Sequence, residues 1–305
     1  MNTRFSMVLV GVEPEPAQAL AQSAERDLHA YERLMSRFDP ESPLSDLNCR
    51  AAHEAVQPPA ELWQILALCA DYWQRTGGAF DITLRPLNHL WREHISRGES
   101  PSETALQQAL EQTGFHRLQF DQTARTVRFG RQHMTLDLGG FGKGYALEQL
   151  AASLRTAGVK RAFLSFGESS VTVLGEHPHG PAWPIGVSNM FPPHDPVHTF
   201  QLRDASLSTS GTAPFNAVGT PRAVSQILGQ IIHPRTGRPI QGYRTLSVAS
   251  PSGIDAEVLS TALLVTPEPD REVLLSTFQN ITAVEIVYDS NAGQFTPRIA
   301  WSYGL

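Results

Sequence analysis

Two cysteines in 305 residues cannot build a disulfide framework, and nothing in the chain calls for an oxidising compartment. Cys69 falls on the apolar stripe Leu62, Ile65, Leu66, Cys69 and Trp73 of an expected helix, so it reads as a small core hydrophobe. Long hydrophobic runs are also missing. No window approaches about 18 uncharged apolar residues, and MNTRFSMVLVGVEPEP has no basic start followed by a long apolar stretch. The sequence therefore predicts neither a signal peptide nor a membrane span, and it places the chain, as written, in the cytoplasm. Basic residues number 24 against 30 acidic, a net charge of −6 without any basic run, which argues against a nucleic-acid partner. Glycine and proline, 23 and 22, are dispersed rather than clustered, which excludes a low-complexity or fibrous chain.

What remains is ordinary globular composition: 41% hydrophobic, 18% charged, and long enough to bury its own core. Residues 4–11 alternate as a strand. A long amphipathic helix follows, with Ala19, Leu20, Ala24, Leu28, Tyr31 and Leu34 at spacings of three and four. It stops before RFDPESPLSDLN. A second helix is expected from Pro59 to Thr76, ended by Gly77-Gly78, and a third over 102–113. HRLQFD and RTVRFGR read as a hairpin, HMTLDLGG as a strand, and GKGYALEQLAASLRTAG as a helix stopped by Gly158. RAFLSFG and SSVTVLG read as strands, 176–198 as a loop, and 199–202, 244–249 and 282–288 as further strands. A helix is expected near 255–265. Mixed helices, frequent hairpins and no internal repeat give an α+β class.

Four stretches could carry chemistry. In Asp137-Leu138-Gly139-Gly140-Phe141-Gly142-Lys143-Gly144, glycines join a strand to a helix start, where free N–H groups and Lys143 suit an anion. Asp137 is placed for a ribose, a ring nitrogen or a metal. The stretch is neither a phosphate-loop nor a GxGxxG motif, and a tight strand–helix turn would need the same small residues. Glu257 and Thr261 lie one helical turn apart, so a carboxylate and a hydroxyl could face one hard cation; a solvent-facing Glu beside a backbone-bonded Thr is the plain alternative. Gly78-Ala79-Phe80-Asp81-Ile82-Thr83 offers an aromatic and an acid, or simply a helix stop and a strand. In Ile231-Ile232-His233-Pro234-Arg235-Thr236-Gly237-Arg238-Pro239, Pro-Arg-Thr-Gly is good turn chemistry, and the plain alternative is a strand that enters a turn. His177, His179, His194 and His198 match no zinc spacing and read as a solvated loop.

In order along the chain, these pieces resemble the ApbE-type FAD:protein FMN transferases. The carrying motifs are MSRFDPESPLSDLN (35–48), GGAFDIT with RPLNHLW (77–91), DLGGFGKGYALEQL (137–150), STSGT (208–212), IIHPRTGRPI (231–240) and AEVLSTALLV (256–265).

The resemblance implies an α+β, ApbE-like (T-fold-related) architecture of mixed sheets flanked by helices. It implies a single flavin transferase domain over 1–305, with room for two intertwined lobes. It implies FAD as substrate, Mg²⁺ as cofactor, and transfer of FMN to a Thr or Ser hydroxyl of an acceptor protein, a redox-type subunit, with release of AMP. By position, Ala79, Phe80, Asp81, Asp137, Lys143 and Ile232 would bind FAD, and Met1, in Met1-Asn2-Thr3 where the family has Met-Gly-Thr, would contact the flavin. Asp137, Lys143 and Thr261 would serve catalysis. The Gly140 carbonyl, Glu257 and Thr261 would hold the metal. Four further motifs differ from the family pattern: Glu257 stands where Asp is usual, Gln230-Ile231-Ile232-His233-Pro234 replaces His-x-Ile-Asp-Pro, Gly167-Glu168-Ser169 replaces Gly-Gly-Asp, and the Ser-Gly segment lacks the aromatic often found just after it. A non-catalytic FAD-binding relative and an FAD pyrophosphatase are the alternative readings. Members of the family are often exported and membrane-anchored.

Overall fold

The computed structural model of the protein describes residues 3–167, 169–192, 194–212, 228–291 and 294–305. Along the chain run β1 (Phe5–Leu9), α1 (Pro14–Met35), α2 (Pro43–Arg50), α3 (Ala60–Arg75), α4 (Arg85–Ser96), α5 (Glu103–Glu111), β2 (Leu118–Asp121) and β3 (Thr126–Phe129). Then come α6 (Gly142–Thr156), β4 (Ala162–Phe166), β5 (Ser170–Leu174), β6 (Trp183–Ser188), β7 (Pro196–Leu202), β8 (Ser206–Gly211), β9 (Leu228–Ile232), β10 (Pro239–Gln241) and β11 (Arg244–Ser250). The chain ends with α7 (Gly253–Val265), α8 (Glu268–Leu275), β12 (Thr282–Asn291) and β13 (Gln294–Tyr303). Among the described residues every strand of the sheets pairs antiparallel with its neighbours. The class is α+β, as expected. The chain divides into two compact units: Met1–Tyr31, Gly139–Gly211 and Tyr243–Leu305 form one, and Glu32–Leu138 and Thr212–Gly242 the other.

The first unit is organised by a seven-stranded sheet in the order β1-β4-β5-β8-β11-β12-β13. Period-two alternation sorts its side chains. Val171, Val173 and Leu207 join Trp183, Val187, Phe200 and Leu202 of the β6–β7 ribbon in one apolar cluster. Ser170, Thr172, Ser206, Ser208 and Ser210 alternate with them and point to the other face. Ser170 stands directly opposite Ser208, and Thr172 opposite Ser206. On that face lies α7, which is buried almost all round, as its nearly continuous apolar sequence requires. Leu259 and Leu263 are fully buried, each contributing about 1.5–3 kcal/mol of transfer free energy. α6 packs Ala146, Leu147, Leu150, Ala151 and Leu154 against Leu164 and Phe166 of β4. It ends where the sequence indicated, with Gly158 at φ +81°.

The second unit holds α2 to α5 and the hairpins β2–β3 and β9–β10. Leu62, Ile65, Leu66 and Cys69 of α3 are fully buried, and burial pushes the Cys69 thiol far up, so it stays an inert thiol. Trp73, Phe115 and Phe120 stack in series with centroids 5.5 Å apart. Leu87, Trp91 and Ile95 of α4 form a cluster with Leu106, Ala109 and Ile232.

Several expectations need correction. HMTLDLGG forms no ladder strand. Its backbone groups are taken by the Asn48 side chain, which donates to the Leu136 carbonyl (3.0 Å) and accepts from the Leu136 N–H (2.7 Å), and by the Ile82 carbonyl, which accepts from the Asp137 N–H (2.8 Å). The stretch 176–198 contains β6 and the start of β7, despite Pro184 and Gly186; the pair is a separate two-stranded ribbon, where a missing donor is tolerated. RFDPESPLSDLN is not simply a stop. Ser42 caps α2, its Oγ accepting from the Ser45 N–H at 3.0 Å, and Pro43 fills the first turn. α4, α8, β8, β10 and β13 were not anticipated, although Leu87, Trp91 and Ile95 at spacings of four after Pro86 are a helix signature; β9, ending at Ile232, is the strand expected to enter a turn there.

Candidate functional site

In the first unit, Gly140 is exposed and leads into α6. Lys143 in the first turn of that helix reaches towards α7, where its Nζ lies 3.3 Å from Glu257 Oε1 and donates to Ser169 Oγ at 2.7 Å. Glu257 is not solvent-facing; it is 5% exposed. Its Oε2 accepts from Ser170 Oγ at 2.7 Å and Ser208 Oγ at 2.9 Å. One turn on, Thr261 Oγ1 is 2.9 Å from Ser210 Oγ, and Ser210 also meets Ser260 Oγ at 2.8 Å. The two helices come this close because residue 144 is glycine: a Cβ there would meet Glu257 Cβ at 2.7 Å. Glu148 locks the same pairing by accepting from the Ser252 hydroxyl (2.6 Å) and the Ile254 N–H (3.3 Å) at the start of α7. The expected pair Glu257 and Thr261 therefore shares a face, and Lys143 joins it.

In the second unit, Asp137 forms an ion pair with Arg37 Nε at 2.8 Å, directly after the Leu136 backbone clamped by Asn48. Arg37 also lies over the exposed Phe38 ring at 4.0 Å. The 77–83 stretch and Asp137 meet through the Ile82–Asp137 hydrogen bond. Asp81 Oδ1 accepts from the Thr83 N–H (2.8 Å) and hydroxyl (2.6 Å), and Oδ2 from the Phe115 N–H (3.0 Å). Burial pushes the Asp81 carboxyl above its usual range, while these donors and the neighbouring His116 pull it back. A cavity of about 500 Å³ has Trp73, Gly77, Gly78, Asp81, Pro234 and Arg235 in its wall. It joins two of the motifs singled out in the sequence, and Arg235 Nη2 donates to the Gly77 carbonyl at 3.1 Å. Phe80 and Ile232 are each 5% exposed, Phe80 edge-on to Tyr72 and Ile232 in the α4–α5 cluster. Ala79 is partly exposed beside them in the chain. Met1 lies outside the described residues. Of the four histidines, His198 sits on β7 against Phe200, and His177 lies edge-on to Trp183 at 4.8 Å.

Among the described residues no three His, Cys, Asp or Glu side chains gather to hold a metal, and no helix is long and apolar enough to cross a membrane. The donors at the head of α6 are one carboxylate, hydroxyls and a backbone carbonyl, all hard oxygens. Mg²⁺ takes such oxygens sparingly from protein and completes its shell with water and phosphate. The looser contact at Oε1 leaves that oxygen able to exchange partners. By donor type, Gly140, Glu257 and Thr261 fit the ion. Sequence reading missed Arg37, Asn48, Ser169, Ser170, Ser208 and Ser210. Their only signal was membership of the 35–48 and 208–212 motifs or a place beside a glycine turn.

The model of the ApbE family matches residues 1–284 of this chain. The FAD:protein FMN transferase of Klebsiella pneumoniae (strain 342) is 27% identical over 285 residues, covering 90% of this chain and 79% of that one. That of Chlamydia pneumoniae is 25% identical over 269 residues, covering 86% and 82%. Among solved structures, the flavin transferase ApbE from Vibrio cholerae superposes with a TM-score of 0.77 at 22% identity, covering 98% of this chain and 94% of that one. The apo flavinyl transferase ApbE of Pseudomonas stutzeri gives 0.77 at 23% identity with the same coverage. These likenesses show a shared fold. With the family model running through nearly every element that places Lys143, Glu257 and Thr261, the chain belongs to the ApbE family.

Proposed function

We propose that this chain is an FAD:protein FMN transferase, Mg²⁺-dependent, acting on a Thr or Ser hydroxyl of a redox-type acceptor protein. The observation that carries the reading is the cluster of Lys143, Glu257 and Thr261 at the N-terminal end of α6. Lys143, in the first turn of α6, faces the Glu257 carboxylate at 3.3 Å, and the Thr261 hydroxyl stands one turn further along α7, a donor set that suits a pyrophosphate and its counter-ion. The names of the relatives support it.

In the reaction the acceptor oxygen bonds to the phosphorus of the FMN half, the bridging P–O bond to AMP breaks, and the hydroxyl proton leaves to solvent or base. Lys143 holds a positive charge against the phosphate oxygens. The Gly140 carbonyl, Glu257 and Thr261 would hold Mg²⁺, which when bound would supply positive charge against the phosphate oxygens and the AMP leaving group. Ala79, Phe80, Asp81, Asp137, Ile232 and Met1 are assigned to FAD. Phe80 and Ile232, buried as they are, serve it by shaping the local backbone. Positioning and electrostatics supply most of the rate.

A second reading is favoured by one observation: the Glu257 carboxylate is already engaged by Lys143, Ser170 and Ser208. An internal ion pair could replace the metal and leave a protein that binds FAD without transfer. The test incubates the full chain with FAD, Mg²⁺ and an acceptor protein of this family, and follows in-gel flavin fluorescence and AMP. Covalent flavin with AMP, lost in Thr261→Ala and Lys143→Ala, supports the transferase. FMN and AMP without acceptor indicate a pyrophosphatase. FAD binding indifferent to Mg²⁺, with no AMP, indicates the non-catalytic relative.

A further inference from the structure

The two oxygens of Glu257 are treated differently by their surroundings. Oε2 is taken by two hydroxyls, Ser170 at 2.7 Å and Ser208 at 2.9 Å, which are only 1% and 2% exposed. These serines are cross-strand partners on β5 and β8, so the sheet register itself sets the gap into which Oε2 fits. Oε1 faces Lys143 Nζ at 3.3 Å, longer than the roughly 2.7–2.9 Å of a strong charge-assisted bond. Lys143 is in turn held by Ser169, the residue next to Ser170, at 2.7 Å.

We propose that Ser170 and Ser208 are positioning residues: they occupy Oε2 and so make Oε1 the single oxygen that Glu257 offers to a divalent cation, in exchange with Lys143. A carboxylate with both oxygens loose could chelate or turn away. This one is pinned at a fixed depth and rotation by two donors from a rigid sheet. The length of the side chain is part of the fit, because the distance from α7 to the serine pair is spanned by the Glu methylenes. The inference rests on the Mg²⁺-dependent reading above and adds two residues to it.

The test measures Mn²⁺ binding to the full chain by electron paramagnetic resonance, without FAD turnover. Ser170→Ala and Ser208→Ala, singly and together, are compared with the unsubstituted protein, alongside thermal melting. The double variant should bind Mn²⁺ about 10- to 100-fold more weakly, as loss of groups that orient a metal ligand does. The single variants, milder in their effect on folding, should fall between. Glu257→Asp should weaken binding in the unsubstituted background and add little in the double-serine background, since the shorter acid has already lost the contact that the serines provide. Serine variants that melt lower but bind Mn²⁺ within about twofold of the parent would overturn the inference and leave the metal reading standing. If the unsubstituted protein binds no Mn²⁺, the inference and the metal reading fall together.

Discussion

Gly144 of α6 lies directly against Gly253 of α7: a Cβ at 144 would sit 2.4 Å from the Gly253 carbonyl oxygen, and one at 253 would sit 2.8 Å from the Gly144 carbonyl oxygen. Neither atom belongs to a flexible side chain, so the helices themselves would have to move. Gly144→Ala should therefore destabilise the protein by about 1–3 kcal/mol, the usual cost of overpacking, although alanine is the better helix former. Urea denaturation measures this, and a stabilised variant would contradict the close contact.

Asn48 acts as a piece of strand, pairing both its amide groups with the backbone of Leu136. Asn48→Ala leaves a donor and an acceptor beside Asp137 to find water. The expected cost is about 1–3 kcal/mol, with faster hydrogen exchange at the Leu136 amide than elsewhere in the same unit. Exchange unchanged at Leu136 would show that the clamp is not what orders the segment.

His233 Nδ1 accepts from the backbone N–H groups of Arg235 (3.1 Å) and Thr236 (3.4 Å), which places the ring proton on Nε2. Burial, and then the charge of Arg235, lower its pKa below 6.5. The folded protein thus resists protonation that the unfolded chain accepts. The contribution to stability is present above pH 6.5 and is lost as pH falls through the lowered value. His233→Gln should flatten the slope of unfolding free energy against pH below 6.5, the window opened by the lowered pKa. Equal slopes in both proteins would refute this.

Arg271 and Glu285 are both 3% exposed and meet at 2.8 Å, with Arg244 on the second Glu285 oxygen at 3.2 Å. Arg271 also donates to the Thr266 carbonyl and lies 4.9 Å from the Trp301 ring centre. Arg271→Ala should cost about 3–5 kcal/mol, because a buried carboxylate loses its tighter partner. Arg271→Met with Glu285→Leu should recover much of that loss, since the apolar pair leaves no buried charge between α8 and β12 and Arg244, one third exposed, can turn to water. The comparison is made by thermal melting of the two variants.

Legibility of the fold followed the range of the interactions. α6 could be read from the glycines before it and Gly158 after it, which are local, and α3 from one apolar stripe with Gly77 and Gly78 at positive φ. HMTLDLGG looked like a strand because its alternation is real; its partner, however, is the side chain of Asn48, far away in sequence. Ser208 lay inside the 208–212 motif and Ser170 beside a glycine turn, but neither signal pairs the two, since only the β5–β8 register brings them to one oxygen. Glu257 and Thr261 could be found as a pair by helical spacing. That the acid is buried against Lys143 follows from the glycine contact of α6 with α7, which no local pattern reveals.

The Glu257 pocket draws on residues 87 and 49 positions earlier in the chain. A nascent polypeptide that has emerged only as far as β11 therefore has Ser170 and Ser208 without the carboxylate they hold in the finished protein. The carboxylate arrives among the last helices made, so competence at this locus is a late event of biosynthesis. Any product cut short before α7 is born without it.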